Sequence, residues 1–160
     1  KLGEVKGAYD QILIDCPPGV GLLVANAFAA SDNVLLTVQP EFFALYGLTL
    51  FNQLFEAVKE TCNPALKIGG VLITMFDAKT RGQLAIHRDC ADEVAKTFES
   101  LVFKTRIRLN ARLKEAPSHG RTIFEHAPDS TGAADYMDLA KEMCGHGAGE
   151  KTGSGVESAA

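Results

Sequence analysis

The feature that most constrains the fold is a short apolar run that ends in an acidic residue and two prolines. Ile12, Leu13 and Ile14 precede Asp15, and the residues Cys-Pro-Pro-Gly follow at positions 16–19. Such a run predicts a buried strand, and the prolines end it because they cannot donate to a strand ladder. Asp15 would then lie at the carboxyl end of a central strand, where open α/β sheets place their ligands. The structural alternative is that Asp15 only starts a turn.

Apolar runs of this kind alternate with helical patterns along the chain. Leu48, Phe51, Leu54, Phe55 and Val58, for example, recur at spacings of three and four residues, which predicts one apolar stripe on a helix. Strands that alternate with helices predict an α/β fold with a mostly parallel sheet and helices on both faces. The predicted strands are residues 11–14, 33–38, 69–74 and 102–107, and the predicted helices are residues 21–30, 45–61, 83–98 and 132–143.

Composition excludes several classes of protein. The chain has 160 residues, 46% of them hydrophobic, and contains no apolar run near the ~20 residues of a membrane helix. No signal peptide precedes the first predicted strand. The four cysteines lack the spacing of a metal site, which favours reduced thiols and therefore a cytoplasmic protein: Cys16, Cys62, Cys90 and Cys144.

The positive charges are unevenly distributed in this acidic chain, whose net charge is −4. Residues 104–121 contain six Lys or Arg residues and a single acidic residue, Glu115. A cluster of cations is suited to binding phosphates, although a run of charge is more often a solvated surface with ion pairs. No aromatic residue lies between Lys104 and Arg121, so stacking on single-stranded bases is not predicted.

Four motifs, in order, give the chain a resemblance to a known family. They are YDQILIDCPPGVGLLVANAFAASD at 9–32, VQPEFFAL at 38–45, GVLITMFD at 70–77 and RLKEAPSHG at 112–120. Together they resemble the ParA/Soj-type partition ATPases, which belong with MinD to the deviant Walker-A class of P-loop proteins. The resemblance extends over residues 9–143 and implies a P-loop NTPase-like fold.

The resemblance also implies the domain limits and the cofactors. In this family a KGGxGKT-type phosphate loop lies upstream of the motif at 9–32, whereas this chain begins at Lys1 without it. We therefore expect residues 1–144 to be the carboxyl-terminal part of an ATPase domain, and residues 145–160 to be a disordered tail. ATP hydrolysis is expected if the full-length protein contains the upstream loop. ATP and Mg²⁺ are the implied cofactors.

Site residues follow from the same motifs. Asp15 is implied as the catalytic carboxylate that holds Mg²⁺ through a bound water. Pro17, Pro18 and Gly19 would form the switch loop that senses the γ-phosphate, because Pro supplies rigidity and Gly permits unusual backbone angles.

Two further segments are implied to flank the adenine base. Thr74 and Met75 end the third predicted strand, and the loop Arg108-Leu109-Asn110 ends the fourth. The structural alternative is that Thr74 simply leaves the strand while Met75 fills the core. Here the chain departs from its relatives: the family's Pro is Arg108, and its following Arg is Leu109. Because a Pro fixes a loop backbone, this change puts the base-contact geometry in question.

The basic residues are implied to serve the family's other task, which is non-specific binding of double-stranded DNA by ATP-bound homodimers. A ParB-like partner would stimulate hydrolysis, and the protein would associate with the nucleoid during chromosome or plasmid segregation. The implied DNA-binding residues are Arg81, Arg88, Arg112, Lys114 and Arg121.

Two alternative functions remain open. MinD-like relatives bind membranes through a basic amphipathic carboxyl-terminal helix, but residues 145–160 contain one Lys and many Gly residues, which disfavours membrane binding. The other alternative is a non-catalytic interaction module that lacks its own P-loop. Such a module would pair with an intact ATPase or bind DNA weakly.

Overall fold

The computed structural model describes the backbone of residues 2–41, 44–77 and 81–149. Three strands form one sheet in the order β1-β2-β3, and β2 and β3 are parallel, so the predicted α/β fold is confirmed. Two short 3₁₀ helices, Glu99–Leu101 and Ala116–His119, follow α4 and α5. The elements are α1 Leu2–Val5, α2 Leu22–Ala30, β1 Asn33–Val38, α3 Ala44–Thr61, β2 Lys67–Phe76, α4 Arg81–Phe98, β3 Val102–Arg108, α5 Ala111–Glu115, α6 Ile123–His126 and α7 Thr131–Gly149.

The first predicted strand is absent from the described residues. Residues 11–17 have no regular secondary structure, and the side chain of Leu13 is 85% exposed. Ile12 and Ile14 are also exposed. A strand exists only through hydrogen bonds to a neighbouring strand, and no described strand lies beside this run. The prediction of a buried central strand at residues 11–14 is therefore wrong.

The described chain divides into two compact units. The first comprises the described residues of Lys1–Leu36 and Phe42–Gly70, and the second those of Thr37–Glu41 and Val71–Ala160. In the first unit, Phe28 of α2 packs edge-on against the rings of Phe51 and Phe55 of α3, at 5.8 and 6.2 Å between ring centroids. Val58 and the fully buried Leu66 complete this core, so the predicted apolar stripe of α3 is the buried face of the helix.

A polar contact joins the ends of α2 and α3 in the first unit. The side-chain amide of Asn63, just beyond α3, donates to the carbonyl oxygens of Phe28 and Ser31 at 3.0 and 2.7 Å. The last carbonyls of an α-helix have no partner within the helix. Asn63 therefore satisfies the end of α2 from a position 32 to 35 residues further along the chain.

In the second unit, helices cover both faces of the β2–β3 pair. Leu72 and Ile107 pack against Leu139 of α7, whereas Ile73 and Phe76 pack with Ala91 of α4. Leu72 and Ile73 are neighbours in β2, and successive side chains of a strand point to opposite faces. The prediction of helices on both faces is confirmed for this unit.

The β2–β3 pairing is irregular at two places. From the first aligned pair to the second, β3 advances two residues more than β2, and from the second pair to the third β2 advances one more than β3. These are bulges, which bend a strand and re-aim its side chains. The aligned pairs are Val71 with Val102, Ile73 with Arg106 and Phe76 with Arg108.

Two short α-helices follow β3, and each is capped by a side chain. Asn110 caps α5, and Thr122 with Glu125 forms a reciprocal capping box at the start of α6. Gly120 ends the second 3₁₀ helix with φ of +61°, a left-handed conformation that favours glycine. The helix α7 continues to Gly149, so residues 145–149 of the predicted tail are helical, whereas 150–160 lie outside the described residues.

Candidate functional site

The segment predicted to hold Mg²⁺ and the switch loop lies in the first unit. Asp15, Pro17 and Pro18 are exposed and precede the start of α2 at Leu22. Because residues 11–14 form no strand, Asp15 does not stand at the end of one. Gly19 has φ of +106°, a backbone angle that residues with a Cβ rarely adopt. The backbone at this position therefore favours a glycine.

The second unit brings the two predicted base-side segments together. The carboxyl ends of β2 and β3 are adjacent, with Phe76 aligned to Arg108. The Leu109 amide donates to the Phe76 carbonyl at 3.0 Å, which continues the pairing beyond β3. Thr74 is half-buried and Leu109 is 48% exposed. We call this juxtaposition, residues 74–76 and 108–110, the β2–β3 edge.

Met75 is the exposed member of this edge. Its side chain is 45% exposed, so the alternative that Met75 fills the core is wrong. Its φ is +52°, in the left-handed region that is unfavourable for a residue with a Cβ, at a cost of about 1–2 kcal/mol. The strain coincides with the bulge in β2, so the backbone is bent where the side chain leaves the sheet.

Arg108 is bound by a buried carboxylate of α7. Asp135, only 6% exposed, accepts from the Arg108 backbone amide at 3.0 Å and from Nε at 3.0 and 3.1 Å, and also from Nη2. The hydrogen bond that the guanidinium donates to Asp135 raises the pKa of Arg108 above its ordinary value. Arg108 therefore fixes the loop backbone and does not extend a free cation towards a ligand.

Asn110 also has a structural partner on each side. Its side-chain oxygen accepts from the Arg112 amide at 2.8 Å, and its amide nitrogen donates to the hydroxyl of Thr131 at 2.7 Å. The first bond is the cap of α5 and the second joins the loop to the start of α7. The three residues 108–110 are thus attached to the rest of the second unit through backbone and side-chain bonds.

A buried histidine supports the other strand of the edge. The amide of Asp77 donates to Nδ1 of His87 at 2.9 Å, and both side chains are buried. Since Nδ1 accepts this bond, it carries no proton. The ring of His87 lies 5.8 Å from that of Phe76, and the guanidinium of Arg106 lies 4.9 Å from the centroid of the Phe76 ring. These contacts hold the end of β2 against α4.

The predicted DNA-binding residues differ in their surroundings. The side chain of Arg81 lies outside the described part of the structure. Arg112 donates from Nη1 to the Glu115 carboxylate at 2.7 Å. The remaining three are exposed, and among the described side chains (residues 2–41, 47–77 and 85–145) none is joined to them by a hydrogen bond or ion pair: Arg88, Lys114 and Arg121.

Glu115 has a second neighbour, a histidine. Nε2 of the largely buried His126 lies 3.5 Å from the carboxylate without hydrogen-bonding geometry. Arg112, and to a lesser extent His126, hold the pKa of Glu115 below its ordinary value. The rings of His126 and His119 are stacked, with 4.9 Å between centroids. A shallow depression of about 520 Å³ beside this cluster is lined by Arg112, His126 and residues 127–130.

Sequence reasoning did not identify the carboxylates of α7 or the buried histidine. Asp135 and Glu142 both accept backbone N–H groups of β3; Glu142 binds those of Lys104 and Thr105 at 2.7 and 2.9 Å. In the sequence these carboxylates are ordinary acidic positions of an amphipathic helix. Their seven-residue spacing, which places them on one helix face, was the available signal.

The described residues contain neither a cluster of metal-binding side chains nor a helix that could cross a membrane. No group of three or more His, Cys, Asp or Glu side chains there could hold a metal ion. A Mg²⁺ ion needs no such group when one carboxylate, water and phosphate oxygens surround it, so the chemistry of Asp15 fits the predicted role. Within the same residues, no helix combines the length and apolar character needed to cross a membrane.

Comparison with solved structures defines the class of fold. The chain superimposes on cobyrinic acid a,c-diamide synthase from Mycobacterium smegmatis with bound ADP and magnesium, with a TM-score of 0.71 and 28% identity. The match covers 96% of this chain and 52% of that one. The same enzyme with a bound ATP analogue and magnesium gives a TM-score of 0.70 at 27% identity. The chain thus has a P-loop NTPase-like α/β fold.

Sequence comparison adds the family. A family model described as an AAA domain matches residues 1–68. The chain is 47% identical to the sporulation initiation inhibitor protein Soj of Bacillus subtilis over 146 residues, and 43% identical to the chromosome-partitioning ATPase Soj of Treponema pallidum over 142. It is 41% identical to the chromosome partitioning protein ParA of Myxococcus xanthus. The chain is therefore a homologue of the Soj/ParA chromosome-partitioning ATPases.

The matches cover the chain and its relatives unequally. For Soj of Bacillus subtilis, Soj of Treponema pallidum and ParA of Myxococcus xanthus, in that order, the aligned region makes up 91%, 89% and 89% of this chain, but only 56%, 54% and 49% of the relative. The chain thus spans about half the length of the curated relatives it matches.

Proposed function

We propose that this chain acts in a chromosome-partitioning ATPase that binds ATP with Mg²⁺, dimerises when ATP is bound and then holds double-stranded DNA without sequence preference. A ParB-like protein would stimulate hydrolysis and so release the DNA, and the protein would work on the nucleoid in the bacterial cytoplasm. The observation that carries the proposal is the 41–47% identity to Soj and ParA over about nine-tenths of the chain.

Two observations support nucleotide binding. The solved neighbours contain ADP or an ATP analogue with magnesium. In this chain, the β2–β3 edge gathers Thr74, Met75 and the loop 108–110 at the carboxyl ends of parallel strands, where this kind of sheet places its ligands. The exposed thioether of Met75 and the exposed side chain of Leu109 would offer apolar contacts to a base.

Asp15 would hold the metal, since it is an exposed carboxylate in the motif that resembles the family's Mg²⁺ site. Bound Mg²⁺ would neutralise phosphate charge. Asp15 would orient the metal by accepting hydrogen bonds from a coordinated water. Pro17, Pro18 and Gly19 are exposed and stand between Asp15 and α2, which suits a loop that changes position with the state of the nucleotide.

The exposed cations support a DNA surface. Arg88, Lys114 and Arg121 are exposed and have no ion-pair partner among the described side chains, although the charge of Arg121 also acts on Glu125, whose pKa it helps to lower. These charges would be available to phosphates. Binding of this kind releases counterions and weakens steeply as salt concentration rises. Arg112 would contribute less, because Glu115 already neutralises part of its charge.

The test is ATP-dependent dimerisation of the product of the complete reading frame, measured by light scattering with and without ATP and Mg²⁺. We expect dimers with ATP for the natural protein and none for Asp15→Ala. Asp92→Ala is the matched control, because Asp92 is an exposed carboxylate on α4 that has no assigned role.

Equal dimerisation of the Asp15→Ala variant would remove this residue from the site. If the natural protein neither dimerises with ATP nor hydrolyses it, the ATPase proposal fails, and the non-catalytic interaction module takes its place. DNA binding by such a protein would then be independent of nucleotide, which a gel-shift series with ATP, with ADP and without nucleotide would reveal.

A further inference from the structure

The loop at residues 108–110 is held from α7, and nothing in the motifs indicates this. Asp135 accepts hydrogen bonds from both the backbone amide and the guanidinium of Arg108, so one carboxylate restrains two parts of the same residue. Thr131 is the first residue of α7, about one helical turn before Asp135, and its hydroxyl accepts from Asn110. Two side chains of one helix therefore bind the first and last residues of a three-residue loop.

Because Asp135 is buried, its carboxylate needs hydrogen-bond donors from the protein. Its carboxylate side chain is only 8% exposed, whereas the Arg108 side chain is 44% exposed. A buried carboxylate is costly without donors, and a guanidinium fork plus a backbone N–H supplies several at once. The pair is therefore far more directional than the exposed pairs of this chain, such as Lys141 with Asp138, which are 70% and 63% exposed.

The loop thus restrained is part of the β2–β3 edge. The amide of Leu109 donates to the Phe76 carbonyl, and Phe76 directly follows the strained Met75. Arg108, which is restrained by Asp135, stands at the position where the family that this chain resembles has a proline. A proline restrains the backbone through its ring, whereas Arg108 restrains it through hydrogen bonds that depend on a partner.

We propose that Asp135 is the positioning residue of the β2–β3 edge: by binding the amide and the guanidinium of Arg108 it sets the loop 108–110, and Thr131 holds the far end of that loop. Asp135 then acts on a ligand only through the loop. Its functional consequence rests on the proposed function, under which the ligand is an adenine nucleotide. The helix α7 is by this means coupled to nucleotide affinity without touching the nucleotide.

The structural part is tested by residue-resolved amide hydrogen exchange on the 160-residue chain. Asp135→Asn keeps the size of the side chain and removes the charge that binds the fork. We expect the Leu109 amide to exchange about tenfold faster or more, because hydrogen bonds to charged groups are the strong ones and their loss opens the loop locally. Arg108→Lys keeps the backbone donor and the charge but loses the fork, and we expect an intermediate increase.

Glu142→Gln is the matched control. Glu142 lies on the same helix and also accepts two backbone N–H groups of β3, but at Lys104 and Thr105. We expect this variant to speed exchange at residues 104 and 105 and to leave Leu109 within about twofold of the natural protein. Equal acceleration of Leu109 in both variants, or none in Asp135→Asn, would overturn the proposal.

The functional part is tested by ATP hydrolysis in the product of the complete reading frame. For Asp135→Asn we expect KM for ATP to rise about tenfold with kcat within about twofold, because a displaced base-side loop weakens binding and leaves the phosphate chemistry intact. A fall in kcat with unchanged KM would overturn the positioning role. If the natural protein hydrolyses no ATP, the proposed function fails by itself, and the exchange of Leu109 alone decides whether Asp135 sets the loop.

Discussion

The contact of Asn63 with the end of α2 yields a quantitative prediction. Asn63→Ala removes two hydrogen bonds, of 3.0 and 2.7 Å, and leaves the carbonyls of Phe28 and Ser31 without this donor. A hydrogen bond contributes about 0.5–1.5 kcal/mol net, so the free energy of unfolding should fall by about 2 kcal/mol. For a chain of this size, that loss corresponds to a Tm about 4–8 °C lower.

The assay is urea and thermal unfolding followed by far-UV circular dichroism, since the chain has no Trp. Asn63→Asp should be worse than Asn63→Ala, because a carboxylate would then face two carbonyl oxygens. Thr61→Ala is the control: its hydroxyl bond to the Ala57 carbonyl, 2.6 Å long, is local and exposed, so the change should be within about 0.5 kcal/mol. If Asn63→Ala also unfolds within about 0.5 kcal/mol of the natural protein, water replaces the amide and the reasoning fails.

Three further predictions concern charge, backbone and DNA. The lowered pKa of Glu115 contributes stability that is present above its ordinary value of 4.5 and is lost as pH falls through the folded-state value; Glu115→Gln should therefore remove stability at about pH 7 but not at about pH 2, as measured by urea unfolding. Met75→Gly should raise stability by about 1 kcal/mol and Met75→Val should lower it, in thermal melts, because only Gly adopts this φ without strain. Under the proposed function, replacing Arg88, Lys114 and Arg121 together by Gln should reduce the slope of log affinity against log salt by about 0.9 for each phosphate that the protein no longer neutralises. The control Lys141→Gln should leave the slope unchanged. An unchanged slope in the triple variant would show that the DNA surface lies elsewhere.

Local patterns were sufficient for most helices and strands. The helix predicted at 45–61 is Ala44–Thr61, and the strand predicted at 33–38 is Asn33–Val38. The helix buries an apolar stripe that appears in the sequence as a period of about 3.6 residues, whereas the strand is marked by its Val and Leu content. The run at 11–14 has the same appearance, yet it is not a strand, because pairing depends on a neighbour that no local pattern contains.

The candidate site was predictable in outline and not in detail. The carboxyl ends of parallel strands lie at one edge, so Thr74 and Arg108 could be placed near each other from the order of elements alone. The role of Arg108 could not, because it depends on how α7 is rotated against β3 and thus on where Asp135 lies. The exposure of Met75 depends likewise on a bulge that forms only between paired strands.

The bulge in β2 has a consequence for chain length. Ile73 and Phe76 are three positions apart, an odd number that would place them on opposite faces of a regular strand, yet both pack with Ala91 of α4. Met75 absorbs the extra position. A chain shortened by this single residue would have Ile73 and Phe76 two positions apart, and both would still face α4. Most single-residue deletions within a strand move the following side chains to the opposite face of the sheet. Deletion of Met75 would instead keep the core residues on their face and remove only an exposed thioether, so gaps and insertions among homologous sequences should be concentrated at this position.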